Sequence, residues 1–219
     1  MKSRNSKTLG KLLSCAVLPV FLSISSARIG SAASVPPGFT DSLVAAGLTN
    51  PTAMALAPDG RIFVCEQGGN LRVIKNGTLL PTPFLTVTVD SSGERGLLGV
   101  AFDPNFVSNQ LVYVYYSATT PTVHNRISRF TASGDVAMAG SETVGMDLNN
   151  LSTATNHNGG AIHFEPDGNL YVAVGDNANG TNSQSLSTLA ARGLQRLTDD
   201  LERADRLNLF EGSNHVKRN

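Results

Sequence analysis

His157 and Asp176 are the two residues of this sequence whose types and spacing best suit shared chemistry. Between them lies Phe164-Glu165-Pro166-Asp167-Gly168-Asn169, where Pro fixes φ and Gly permits φ > 0, the ingredients of a chain reversal. A hairpin turning at Pro166-Asp167-Gly168 sets His157 opposite Asp176, at one end of two antiparallel strands. An imidazole beside a carboxylate is held in one tautomer and stays basic, as a proton acceptor requires. Glu94 lies about nine residues before a second such turn, Asp103-Pro104-Asn105, and His157 about ten before its own, so both reach the same end of neighbouring units. The plain alternative is that His157 caps a strand at a solvent rim, with His124 and His163 as ordinary neighbours. Thiol and metal chemistry have less to build on: the two cysteines are Cys15 and Cys65, and no Cys-x-x-Cys pair exists. Cys65 reads as a small buried hydrophobe in the strand Arg61-Ile62-Phe63-Val64-Cys65.

The elements that must position these groups repeat. Pro51-Thr52-Ala53-Met54-Ala55-Leu56-Ala57-Pro58-Asp59-Gly60-Arg61-Ile62-Phe63-Val64 reads as an apolar strand, a turn and a second apolar strand. The same phrase returns from Gly96 through Asp103-Pro104-Asn105 to Tyr115, and again from Gly159 through Pro166-Asp167-Gly168 to Val172. Aligning the turns at Asp59, Asp103 and Asp167 gives offsets of about 44 and about 64 residues, the first matching a four-stranded propeller blade and the second a blade with an insertion. Asn70–Lys75 and Asn125–Phe130 supply further strands, and Asn76-Gly77 has the signature of a tight hairpin turn. The expected fold is all-β, a β-propeller.

A six-bladed ring needs about 240–270 residues. The repeat region, within a domain read as residues 34–189, holds about two and a half blades. Beyond it, residues 190–219 turn charge-rich and weakly helical in period. This segment is expected to be an atypical tail, out of frame or truncated, with a helix capping an unpaired third-blade edge as the other reading.

The N-terminus carries Lys2, Arg4, Lys7 and Lys11, then an apolar run from Leu12 to Ile24 and small residues at Gly30-Ser31-Ala32-Ala33. That order marks residues 1–33 as a secretory signal peptide, with a run too short to span a membrane. The expected location is therefore secreted or periplasmic. The whole chain has 17 Lys+Arg, 17 Asp+Glu and net charge +0, which gives no electrostatic footprint for nucleic acid. Oligomeric state is left open.

Gly93-Glu94-Arg95-Gly96-Leu97-Leu98-Gly99-Val100-Ala101-Phe102-Asp103-Pro104-Asn105-Phe106, with Asn156-His157-Asn158-Gly159-Gly160 and Gly175-Asp176, closely resembles the soluble quinoprotein glucose/sorbosone dehydrogenases. The resemblance covers about residues 36 to 189. It implies a six-bladed propeller that oxidises a small aldose sugar with pyrroloquinoline quinone (PQQ) and calcium, passing electrons to an external acceptor. By resemblance, His157 is the general base, Asp176 its hydrogen-bond partner, and Glu94 and Asn156 contact the sugar. Glu94 stands where the glucose enzymes usually have Gln, and Asn156 where they have Asp. The family's cationic cluster for the quinone carboxylates and its calcium ligands find no match here, so no metal ligand is assigned. A non-catalytic extracellular binding propeller is the second reading, and a metal-dependent propeller lactonase the third.

Overall fold

The computed structural model describes residues 35–185 and 195–197. The signal-peptide assignment to residues 1–33 and most of the 190–219 tail lie outside the described residues. The chain divides into Met1–Asp41, of which a turn near Pro36 is described, and Ser42–Asn219. No helix among the described residues is long and apolar enough to cross a membrane.

The described residues of Ser42–Asn219 form antiparallel sheets of a β-propeller. The first blade contains β1 (Pro51–Leu56), β2 (Ile62–Glu66), β3 (Asn70–Lys75), β4 (Thr78–Leu79) and β5 (Leu85–Thr86). The second contains β6 (Leu97–Phe102), then a one-turn helix α1 (Phe106–Asn109), β7 (Leu111–Ala118), β8 (His124–Ser133), β9 (Val136–Ala137) and β10 (Thr143–Asn150). The third contains β11 (Gly159–Phe164), β12 (Leu170–Val174) and β13 (Gln195–Leu197). The expected tight turn is present: Asn76 and Gly77 have φ of 52° and 74°, joining β3 to β4 where Lys75 faces Thr78.

β13 corrects one detail of the sequence reading. Two and a half blades leave the third with two strands, followed by a stretch of helical period. Instead Gln195–Leu197 pair antiparallel with Leu170–Val172. An exposed strand edge offers a row of unpaired backbone groups, and pairing with it outweighs weak local propensity.

Alternation on β7 explains how one blade serves two cores. Val112, Val114 and Tyr116 face a cluster with Phe63, Leu71, Val73, Phe84 and Leu97, whereas Tyr113 and Tyr115 join Ile127, Ile162, Leu170 and Val172. Successive side chains point to opposite faces, so a strand sandwiched between blades is apolar nearly throughout, here from Leu111 to Tyr116. Edge-to-face aromatic contacts add to the packing: Phe63 meets Phe84 and Phe102 at ring-centre distances of 5.0 and 4.9 Å. Cys65 is fully buried in the first cluster, and burial pushes its thiol up to about 12. It is an inert core residue.

Between blades, the innermost strands β1, β6 and β11 lie side by side. A Cβ on Gly96 would stand 2.2 Å from the Gln67 carbonyl oxygen, and one on Gly99 would stand 2.0 Å from that of Gly160. The Gly-Leu-Leu-Gly and Gly-Gly phrases are therefore packing requirements. At the opposite ends of β2 and β3, the Arg61 guanidinium joins Asp59 at 2.6 Å and Asp135 at 3.1 Å, and Lys75 reaches Asp135 at 2.9 Å.

These pairs set a pH dependence. Arg61 holds the Asp59 carboxyl below its ordinary value, Lys75 does so for Asp135, and Arg126, which faces Asp147 across β8 and β10 and bonds its carboxylate, does so for Asp147. A carboxylate depressed in the folded state stabilises it fully above the unfolded value of about 3.9, and the contribution disappears as pH falls through the folded value. Thermal melts should show a lower Tm at pH 3 than at pH 6. Equal values would mean the pairs are spent on solvent.

Candidate active site

β10 ends at Asn150 and β11 begins at Gly159, so residues 151–158 cross between blades without strand pairing. An irregular crossing must find partners for its backbone groups elsewhere. Buried Asn158 anchors its end: the Asn158 carbonyl accepts the Tyr115 hydroxyl at 2.8 Å and Asn125 Nδ2 at 3.2 Å. The Asn158 side-chain amide donates back to Thr155 O at 3.1 Å. β12 closes on the same point, because the Asn177 amide donates to the His157 carbonyl at 3.1 Å. Gly175 makes the approach possible: a Cβ there would lie 1.8 Å from that carbonyl oxygen.

The hairpin register sets Phe164 opposite Leu170, shifts near its open end, and sets Gly159 opposite Val174. Two residues further along each strand, His157 meets Asp176 with Nδ1 2.9 Å from Oδ1. His157 has φ 60°, in the left-handed region, which costs a residue with a Cβ about 1–2 kcal/mol. Three contacts hold it there: its backbone N–H donates to Glu94 Oε2 at 2.7 Å, its carbonyl accepts the Asn177 N–H, and its ring binds Asp176. Asp176 Oδ1 also accepts the Ala178 N–H at 2.9 Å, which fixes the carboxylate. Backbone strain kept in place by specific polar contacts is a mark of functional positions.

The electrostatics follow from donor and acceptor types. An ionised carboxylate only accepts, so the proton of the neutral ring sits on Nδ1 and the lone pair on Nε2. Nε2 has no partner among the described residues, and the His157 side chain is 56% exposed against 25% for Asp176. The site thus presents an oriented, solvent-facing imidazole nitrogen.

The residues singled out from sequence divide here. His157, Asp176 and Glu94 come together, but Glu94 spends one carboxylate oxygen on the His157 backbone. Asn156 is half-buried next to His157 and hydrogen-bonds to none of the three. His124 is buried elsewhere in the second blade, with Nε2 3.0 Å from Asp147 and Nδ1 2.7 Å from Thr122 O. The supports Tyr115, Asn125 and Asn158 are given no role from sequence; Asn158 lies inside the quoted Asn156–Gly160 motif, whereas the signal of the other two is polarity within a strand. Among the described residues, no group of three or more His, Cys, Asp or Glu side chains is placed to hold a metal.

The Glucose / Sorbosone dehydrogenase family profile matches residues 48–217. An aldose sugar dehydrogenase of Escherichia coli is 32% identical over 167 residues, 72% of this chain and 43% of that protein. The Hedgehog-interacting protein of Mus musculus is 30% identical over 187 residues, 78% of this chain and 24% of that one. Among solved structures, the PQQ-bound form of the aldose sugar dehydrogenase from Streptomyces coelicolor aligns with a TM-score of 0.62 at 30% identity, covering 73% of this chain and 47% of that one. The chain spans less than half the length of each of these relatives.

Proposed function

Since the chain belongs to the glucose/sorbosone dehydrogenase family, we propose that it serves the oxidation of an aldose sugar, with His157 as proton acceptor. The observation that carries this reading is the Nδ1–Oδ1 contact of 2.9 Å, which leaves Nε2 open on an exposed ring. His157 Nε2 takes the proton of the anomeric hydroxyl, and Asp176 stabilises the imidazolium that forms. Glu94 keeps His157 in its left-handed conformation through one oxygen and offers the other to a sugar hydroxyl, with Asn156 alongside.

PQQ, a quinone with three carboxylates, supplies the hydride acceptor in this chemistry when bound, and an external acceptor then takes the electrons. The described residues fit the proton-accepting side of such a site and do not fit the carboxylates. Glu94 and Asp176 carry like charge, and Arg95, the cation bonded to this loop, already faces Asp90 and two carbonyls. Nor do the described residues provide a calcium cluster. Holding the quinone and calcium is assigned to residues beyond those described. We also infer secretion, from the basic head, apolar run and small-residue site; N-terminal sequencing of exported protein should begin near Ala33 or Ser34.

The test is aldose-dependent dye reduction with PQQ and calcium supplied. It is run on the 219-residue chain and on a chimera in which the second half of the Escherichia coli relative completes the ring. The chimera should reduce dye and the chain alone should not. Failure of the chimera across an aldose panel would sink the reading. Similarity to the Hedgehog-interacting protein favours a second reading, a non-catalytic binding propeller, which predicts an inert chimera with an intact fold. Turnover of lactones that follows metal exchange would instead favour a hydrolase.

A further inference from the structure

We propose that Arg95 is a positioning residue, a clamp that sets the His157–Asp176 pair by gripping the loop that carries it. Its consequence for catalysis rests on the reading of His157 as proton acceptor, whereas the clamp itself does not. Arg95 is buried, 5% exposed. Its Nη1 donates to Asp90 Oδ2 at 2.6 Å, and Nη2 donates to the carbonyls of Ser152 at 2.6 Å and Ala154 at 2.8 Å. Those two carbonyls belong to the unpaired crossing that carries His157, so the guanidinium stands in for a missing strand partner.

Its neighbour extends the grip. The Glu94 N–H donates to Thr155 O at 2.9 Å, and Glu94 Oε2 accepts the His157 N–H. Gly93 lets the two segments touch, since a Cβ there would lie 2.3 Å from Thr155 Oγ1. The grip is tied in turn to the first blade: Gln67 Nε2 donates to the carbonyls of Gly93 at 2.6 Å and Arg95 at 3.0 Å. Consecutive residues Gly93-Glu94-Arg95 of one blade therefore fix the base of the next. Only a planar fork can hold Asp90 and two carbonyls together; an ammonium is a single point. Released from the clamp, the loop lets His157 relax from φ 60° and its ring leave Asp176, and a misplacement of about 1 Å can cost about 10²-fold in rate.

The test reads the pair directly, by NMR of the full chain carrying 15N-labelled histidine. A carboxylate-bound Nδ1–H gives a slowly exchanging proton signal, assigned to His157 by its loss in His157→Gln. Arg95→Met and Arg95→Lys should speed its exchange about tenfold or more while core methyl signals persist. Arg61→Met is the control for stability alone: Arg61 is equally buried and multiply bonded, but lies at the other end of the first blade. It should lower Tm and leave the His157 signal in place. The proposal is overturned if either folded Arg95 variant keeps the parental signal, if Arg61→Met erases it equally, or if the parent shows none. Should Arg95→Met fail to fold, Arg95→Lys decides. Loss of the signal in a protein whose chimera does not oxidise sugar would leave the clamp standing and remove the sugar reading.

Discussion

Replacing His157 with alanine should lower aldose-dependent dye reduction in the ring-completed chimera by roughly 10²–10⁴, the scale of a lost general base. The expectation rests on how completely the surroundings specify this ring. Asp176 Oδ1 fixes Nδ1 as the protonated nitrogen, the Ala178 N–H fixes Oδ1, and Glu94 fixes the backbone. None of these contacts uses Nε2. An arrangement serving only to cap a strand would have no need to keep that nitrogen open. Asp176→Asn should cost less, because the Ala178 N–H still orients an amide oxygen toward the ring and the tautomer survives. What is lost is the charge on the hydrogen bond, about 1 kcal/mol, or roughly fivefold in rate. Parental turnover in His157→Ala would show that another group accepts the proton.

The pairing of His157 with Asp176 was legible because hairpin geometry is nearly digital. Once Pro166-Asp167-Gly168 marks the turn, each strand residue has one partner, and the register shift between Ile162 and Gly159 moves that partner by a single place. Repeats of strand, turn and strand were legible for the same local reason. Long-range backbone contacts were not. Nothing in the sequence says that a loop carbonyl at Ser152 will meet a guanidinium from Arg95, or that His157 will sit at positive φ with Glu94 on its N–H. Sequence reading accordingly gave Glu94 to the sugar and overlooked its hold on the His157 backbone. β13 escaped for a related cause, since edge pairing depends on what lies beside β12 and not on the composition of residues 195–197.

The glycines of the second-blade motif teach a similar point, and they support a large expected effect on stability. Sequence resemblance marks Gly99 as part of a functional signature, but its contacts are structural. A Cβ on Gly99 would lie 2.0 Å from the Gly160 carbonyl oxygen and 3.3 Å from Ile162 Cγ1, so β6 and β11 touch backbone to backbone. A carbonyl in a strand cannot swing aside as a side-chain tip can, so Gly99→Ala must push the second and third blades apart. That opens the cluster of Tyr115, Ile162, Leu170 and Val172. The overpacking cost is about 3 kcal/mol, a fall in Tm of roughly 6–12 °C at this domain size. Gly68→Ala is the matched control. Gly68 is exposed, has no heavy atom within 4 Å of a built Cβ and does not need positive φ, so its variant should stay within about 0.5 kcal/mol of the parent. Thermal melts of the two variants decide between the accounts: equal, small shifts would mean that the blades are not in backbone contact at Gly99. A large shift in Gly99→Ala alone, with the His157 Nδ1–H signal intact once the protein is refolded at lower temperature, would assign this glycine to packing between blades and leave the chemistry to the loop that Arg95 holds.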